Sequence, residues 1–372
     1  MLANMKYTMH CVLALLLLFV AFFANAQDAL RLLEKSRKYV KEQHSIAYTY
    51  TAYWPNPVGE VDTLQGECRF VVGKQNAFRY DFVAKTQGRD MTYIDGVYRE
   101  VVHDEKRVEL HPDEEKAVRM FTKSLIPLKY SVIVLLDRSW QYVRDTTIAH
   151  SLAGYRTADL DTVVNGNRVY VELWLYIGKD SKVPEWYVQQ GYFKGKRGQR
   201  IEFAFTDYTL SRKVEPLVYA LPVGYRSEVF GASPGPQVLQ AGTEAPVFQV
   251  TDIQGKPVDL KALRGKKVLL NFSTINCGYC KMAIDHMNRK DFALPDNVVG
   301  VYINPIDKPD RVVSYAQKSH IPFPVVADAR AVGEMYGVYG YPTFFLIDEQ
   351  GVIQETVVGY REEFLDGLSK KK

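Results

Sequence analysis

The sequence predicts two domains behind an export leader: an N-terminal curved antiparallel β-sheet, a half-barrel carrying a helix, and a C-terminal α/β domain built on a mixed sheet. Three observations predict this. An apolar run from Cys11 to Ala24 ends in the small-x-small triplet Ala24-Asn25-Ala26, the form of a cleavage site. The stretch GASPGPQVLQAG between Phe230 and Thr243 has linker composition. Alternating apolar patterns dominate before it, whereas strand and helix patterns take turns after it. The boundaries read as a leader over 1–26, a β domain over 27–230, a linker over 231–242 and an α/β domain over 243–372.

A chain of 372 residues with 47% hydrophobic and 24% charged side chains is ordinarily globular, which excludes a collagenous, coiled-coil or wholly disordered protein. Its net charge of +4 argues against nucleic acid as the main partner. Aromatics at 13% fit β-rich structure, because flat rings pack well on pleated surfaces. The apolar run in the leader, preceded by Lys6, is shorter than the roughly 18 to 20 residues that span a bilayer, so cleavage near Ala26 and export are expected rather than a permanent anchor. Cys11 stands before that run, not after it where a lipoprotein acceptor would lie, and leaves with the leader. Cys68, Cys277 and Cys280 remain, and an odd count in an oxidising compartment implies at least one free or catalytic thiol.

The first half opens on a helix with Ala29, Leu32, Leu33, Ser36 and Val40 on one face. Strands follow. Phe78, Tyr80 and Phe82 alternate with polar residues, and Asp95-Gly96 supplies a hairpin turn. From Val169 to Ile177 the aliphatic residues share one face and Tyr170, Glu172, Trp174 and Tyr176 the other, a second face that is only partly wetted. Ile201, Phe203 and Phe205 continue the pattern. This half resembles the LolA-like family of lipoprotein carriers and outer-membrane sorting proteins in its exported N-terminal helix, in TYIDGVYREVVHDEKRVEL at Thr92–Leu110 and in LWLYIGKDSKVPEWYV at Leu173–Val188. The resemblance implies a lipid or lipoprotein ligand.

In the second half, Val268–Phe272 reads as a buried parallel strand leading into Cys277-Gly278-Tyr279-Cys280, after which Cys280, Ala283, Ile284 and Met287 recur at helical spacing. Strands are expected at Val298–Ile303, Phe323–Ala327, Thr343–Ile347 and Val352–Val358, with helices at Asp310–Lys318 and Arg361–Leu368. A C-x-x-C at a strand-to-helix junction is the strongest chemical signal, because a thiolate at a helix N-terminus gains from unpaired N–H groups and from the helix dipole. Cys277 becomes the nucleophile, and Cys280, one turn on, can resolve a mixed disulfide. A structural disulfide is the bland alternative. Zinc is disfavoured because no second C-x-x-C or clustered histidine pair supplies further ligands.

These residues resemble the thioredoxin superfamily, and more narrowly its exported TlpA/ResA-like branch, through the lead-in at Gly242–Phe272, through CGYC and through GVYGYPTFFLID at Gly337–Asp348. The resemblance implies a thioredoxin fold with no cofactor beyond the redox-active Cys277–Cys280 disulfide. It also implies a cis Pro342 facing the cysteines, with Tyr341 offering main-chain groups to substrate, and Gly278 and Tyr279 completing the contact surface. The branch implies disulfide-containing exported substrates and a membrane thiol-reductant donor. The chain departs from the family at Asn276 and Ser273, where aromatic residues are usual. It departs again at Asn271, where thioredoxin has a buried acid, so any acid serving Cys280 must come from elsewhere. Gly-Tyr between the cysteines is also the dipeptide of periplasmic disulfide isomerases.

Lys281 reads as a solvated side chain and Cys68 as a buried inert thiol. His103, His111 and Asp113–Glu115 read as polar trimmings of a hairpin, and the basic turn at Lys194, Lys196, Arg197 and Arg200 as a solvated loop. No metal site is expected. The predicted function is an exported thiol-disulfide oxidoreductase, most naturally a reductase, with two competing readings: a carrier of lipid or apolar peptide with an accessory redox domain, and a disulfide isomerase.

Overall fold

The computed structural model describes residues 27–73, 77–164, 166–232 and 237–369. The leader and the terminal lysines lie outside them. Contacts divide the chain into two compact units, one taking in residues up to Trp54 with Asp62–Ala232, the other Pro55–Val61 with the chain from Ser233 onward. No helix among the described residues is long and apolar enough to cross a membrane.

The first unit opens with helix α1 over 27–41, which buries Ala29, Leu33, Ser36 and Val40 as its periodicity dictates. Its sheet is made by β1 (Ser45–Pro55), β2 (Val61–Val72), β3 (Tyr80–Thr86), β4 (Arg89–Ile94), β5 (Val97–Val102), β6 (Arg107–His111), β7 (Gln141–Thr147), β8 (Ser151–Val164), β9 (Asn167–Gly178), β10 (Pro184–Phe193), β11 (Lys196–Ser211) and β12 (Arg226–Val229). These twelve strands form one sheet in the order β12-β6-β5-β4-β3-β2-β1-β11-β10-β9-β8-β7. Asp95 and Gly96, at φ 52° and 77°, make the tight turn between β4 and β5 that their sequence demands.

One sheet face carries the core, dominated by aromatic rings. Helix α2 (Glu114–Lys123) lowers Phe121 onto Phe82, Tyr93 and Tyr98 at centroid distances of 5.0, 5.5 and 5.5 Å. On β9 Leu173, Leu175 and Ile177 are buried, while Tyr170, Trp174 and Tyr176 on the other face are half-buried and Arg144 and Arg156 lie over the Trp174 ring at 5.9 and 5.6 Å. The unit is sheet-rich as expected but differs in two respects. Beside α1 it holds α2 and α3 (Val132–Leu136), and β12 joins β6 in parallel rather than antiparallel fashion. Asp113–Glu115 are not hairpin trimmings. Asp113 caps α2 by accepting from Lys116 N at 2.9 Å, and Glu114 and Glu115 fill the first turn, where acidic side chains favour the dipole.

The second unit begins with the small hairpin of β13 (Gln249–Thr251) and β14 (Pro257–Asp259). Its main sheet has β15 (Lys267–Phe272), β16 (Val298–Ile303), β17 (Val325–Val326), β18 (Thr343–Ile347) and β19 (Ile353–Val358) in the order β17-β16-β15-β18-β19. The first three run parallel, and β18 and β19 add antiparallel strands. Helices α4 (Gly278–Met287), α5 (Pro309–Ser319) and α7 (Glu362–Leu368) cover one face. The short α6 (Arg330–Met335), which the sequence reading passed over, joins the core on the other through Val332. Helices on both faces explain why β15 reads as a continuous apolar run.

The last residues of the expected 231–242 linker pack within the second unit. Val238 is buried and Leu239 packs beside it, while Leu239 N donates to Tyr336 O at 3.2 Å and Gly242 N to Ile353 O at 2.8 Å. Two apolar anchors fasten a stretch whose glycine and proline content suggested a tether. Below β15, Phe345 is fully buried with its ring 5.6 Å from Phe272 and 5.0 Å from Tyr336. Phe345→Ala should cost about 3–5 kcal/mol, read as a lowered denaturant midpoint for this unit, because a void of that size cannot collapse beside the two rings that remain.

Candidate functional site

Strand β15 delivers the chain to a four-residue loop, and Cys277 then serves as N-cap of α4 in extended conformation, φ −108° and ψ 113°. Its Sγ accepts the N–H of Cys280 at 3.1 Å. The two cysteines form a disulfide across a Cα separation of 5.2 Å. Their burial is unequal: Cys280 is fully enclosed, Cys277 half-buried, and Gly278 and Tyr279 are exposed. One sulfur can therefore be reached from solvent while its partner sits under the helix.

The loop before β18 faces this pair. The Tyr341–Pro342 peptide is cis, and Tyr341 O lies 3.6 Å from Cys277 Sγ. Thr343 Oγ1 donates to Gly340 O at 2.8 Å and Gly359 N to Pro342 O at 2.7 Å, so the loop is fixed from both ends. The structure thus brings together Cys277, Cys280, Tyr341 and Pro342, with Gly278 and Tyr279 at the rim.

Beneath the site, Asn271 is fully buried on β15. Ser273 Oγ donates to Asn271 Oδ1 at 2.7 Å, and the amide Nδ2 has no hydrogen-bond partner among the described residues. Sequence reasoning missed Asp307. Its Oδ2 accepts from Ile275 N at 2.9 Å and from Asn304 Nδ2 at 2.8 Å, while Asn304 Oδ1 accepts from Asp307 N at 2.9 Å and Ile306 N at 3.2 Å. The signal was the Asn304-Pro305-Ile306-Asp307 turn at the C-terminal end of β16, beside the strand that leads to the cysteines, where parallel α/β sheets place their chemistry.

Lys281 is not simply solvated, since it pairs with Asp285 one turn along α4. Cys68 is buried as expected, and desolvation pushes its thiol up to about 12. The basic turn at Lys194 and Gly195, φ 50° and 74°, closes the β10–β11 hairpin. His103 Nδ1 lies 3.1 Å from Tyr225 Oη and its Nε2 3.3 Å from Asp90.

His111 meets Glu100 and Glu109 with donor atoms within 4.8 Å of one another, a set of the type that can hold a cation. Arg89 pairs with Glu100 and Arg107 with Glu109, so guanidinium charge already neutralises both carboxylates. Two open grooves of about 690 and 530 Å3 lie in the first unit. The larger is walled by charged groups including Glu67, Arg69, Lys85 and Asp90, the smaller by Tyr39, Val183, Phe205, Tyr208 and Leu210 with His150 and Glu185 at its edge.

His286, buried on α4, places Nδ1 3.1 Å from Tyr360 Oη and Nε2 3.1 Å from Asp366 Oδ1. Desolvation, helped by Arg289, holds its imidazole below the usual histidine range despite Asp366. A depressed folded-state value means that the unfolded chain binds the proton more readily, so the contribution is complete above about pH 6.5 and falls away as pH drops below it. Melting of the oxidised protein from pH 7.5 to 5.5 should show this decline, and His286→Gln should flatten it.

A family model described as the AhpC/TSA family matches residues 241–356. The thiol-disulfide oxidoreductase ResA of Bacillus thuringiensis (strain Al Hakam) is 36% identical over 136 residues, covering 36% of this chain and 79% of that protein. The thioredoxin-like protein YneN of Bacillus subtilis (strain 168) is 34% identical over 124 residues, covering 32% of this chain and 73% of its own length. The solved structure of StoA from Bacillus subtilis is 25% identical with a TM-score of 0.29, over 33% of this chain and 96% of that one. The resemblance of the first half to lipoprotein carriers gains no support from these matches.

Proposed function

Because the chain belongs, through its C-terminal domain, to the thioredoxin-like thiol-disulfide oxidoreductases of the ResA type, we propose that it is an exported protein-disulfide reductase acting through Cys277 and Cys280. The observation that carries the reading is the unequal burial of the pair at the start of α4. In the reduced enzyme the Cys277 thiolate, favoured by the helix N-terminus and the Cys280 N–H, attacks one sulfur of a substrate disulfide. A Cys277–substrate disulfide forms and the other substrate sulfur leaves as a thiol. Cys280 then loses its proton and attacks Cys277 Sγ, which regenerates the intramolecular disulfide and releases the second substrate sulfur. Two electrons and two protons pass to the substrate. Tyr341 supports docking, since its carbonyl stands beside the attacking sulfur of Cys277 and can pair with an extended substrate backbone.

Resetting the pair needs an external dithiol, for which a membrane thiol-reductant donor is the natural source. The apolar run from Cys11 to Ala24 with its Ala24-Asn25-Ala26 triplet supports export, and disulfide-containing exported proteins are the substrate class. Dithiol-dependent reduction of a model protein disulfide tests the reading. Cys277→Ser should abolish turnover, and Cys280→Ser should accumulate a covalent substrate adduct visible on a non-reducing gel. Wild-type turnover equal to that of Cys277→Ser would contradict it.

A second reading concerns the first unit, whose smaller groove sets Tyr39, Val183, Phe205, Tyr208 and Leu210 beside the polar His150, Ser181, Glu185 and Thr206, a mixed lining whose apolar part would take an acyl chain or apolar peptide. Organic extraction of the purified protein followed by mass spectrometry should then release stoichiometric lipid, and its absence removes the carrier role.

A further inference from the structure

Asp307 lies opposite the nucleophile's own loop and takes no direct part in the thiol exchange between Cys277, Cys280 and substrate. Its Oδ2 holds Ile275 N, two residues before Cys277, at 2.9 Å, and the Asn304 amide at 2.8 Å fixes the carboxylate in turn. The loop after β16 is thereby stapled to the loop after β15, directly ahead of the disulfide. The carboxylate oxygen Oδ2 is thus met by two N–H dipoles, those of Ile275 and Asn304. Burial is the main reason the Tyr341 hydroxyl resists ionisation, and the Asp307 charge adds to it, so the carboxylate acts on the residue whose backbone carbonyl lies 3.6 Å from Cys277 Sγ.

We infer that Asp307 is the positioning residue of the redox pair: its carboxylate fastens the loop that presents Cys277 and sets a fixed negative charge against the thiolate. The inference rests on the reading of Cys277 as nucleophile. The start of α4 and the Cys280 N–H favour the thiolate, whereas Asp307 opposes it by like-charge repulsion. A less stabilised thiolate makes the dithiol a stronger reductant, because stabilising the reduced form is what turns such pairs into oxidants. The other charges near the pair are differently placed. Lys281 on α4 is tied to Asp285, Lys308 and Asp310 at the start of α5 are exposed, and Arg330 of α6 acts on Tyr341 in the sense opposite to Asp307.

Charge and clamp are separable by substitution. An asparagine at 307 keeps an oxygen that can accept from Ile275 N and Asn304 Nδ2, so a purely structural role predicts wild-type behaviour for Asp307→Asn. The experiment is the pH profile of Cys277 carbamidomethylation in the reduced full-length chain from pH 5 to 9, read by mass spectrometry of the peptide that carries it. The midpoint should fall by about half a unit to one unit in Asp307→Asn, the size expected of one partly screened charge at this range. The melting temperature should stay unchanged. Asp307→Glu, which restores the charge, should return the midpoint toward wild type. Asp307→Asn titrating together with wild type would overturn the inference while leaving the redox reading intact. Absence of a reactive thiolate at Cys277 in wild type would instead overturn both.

Discussion

The hydrogen bond from Cys280 N to Cys277 Sγ, 3.1 Å long at the first turn of α4, is the constraint around which the second unit is organised. A helix begins with N–H groups that have no partner in the preceding turn, and here one of them is satisfied by sulfur. Other parts of the unit keep that arrangement in place. Strand β15 must be buried on both faces to deliver the chain at a fixed height, and its partners β16 and β18 supply the two loops that flank the sulfur pair. Seen this way, the fold fixes where a helix starts and what may approach its first residue.

Those loops divide the work. The one before β18 brings the carbonyl of Tyr341 to the outer sulfur and is fixed by short backbone and hydroxyl contacts. The one after β16 is built on an asparagine turn, with the side chain of Asn304 closing on the backbone of Ile306 and Asp307. The buried acid of thioredoxin itself has no counterpart at Asn271, whose amide oxygen accepts from Ser273 Oγ and which cannot act as an acid or base. The side chains of Asn271 and Ser273 are therefore neutral, and the carboxylate of Asp307 is held against the loop that leads to Cys277. The first unit follows other rules: a broad sheet whose core is layered rings, with the second face of β9 shielded by arginine side chains.

Legibility in the sequence followed the range of the interactions. Val298–Ile303 and Thr343–Ile347 coincide with strands because a short apolar run bounded by turn residues needs no distant information. CGYC marked its own place for the same reason, as did the Asp95-Gly96 turn. Parallel pairing of β12 with β6 joins segments more than a hundred residues apart and has no local signature. Short α6 contains a glycine and two turns at most, too little for a periodicity to emerge. Asp113–Glu115 was misread because a capping aspartate followed by acidic residues resembles a solvated turn until the helix behind it is recognised. Asp307 stayed hidden because its partner Ile275 lies on a neighbouring strand's loop, and only the sheet order brings them together.

The central claim is that the Cys277–Cys280 disulfide opens and closes reversibly in the folded protein, with the outer sulfur accessible to a partner. Equilibrating the intact chain in dithiothreitol buffers of graded ratio, followed by acid quench and mass spectrometry of the thiols, measures this directly. The account predicts a single reversible two-electron transition confined to these two cysteines, with a midpoint near that of thioredoxin, roughly −270 mV. A pair that stays oxidised until the protein unfolds, or that titrates together with Cys68, would contradict it.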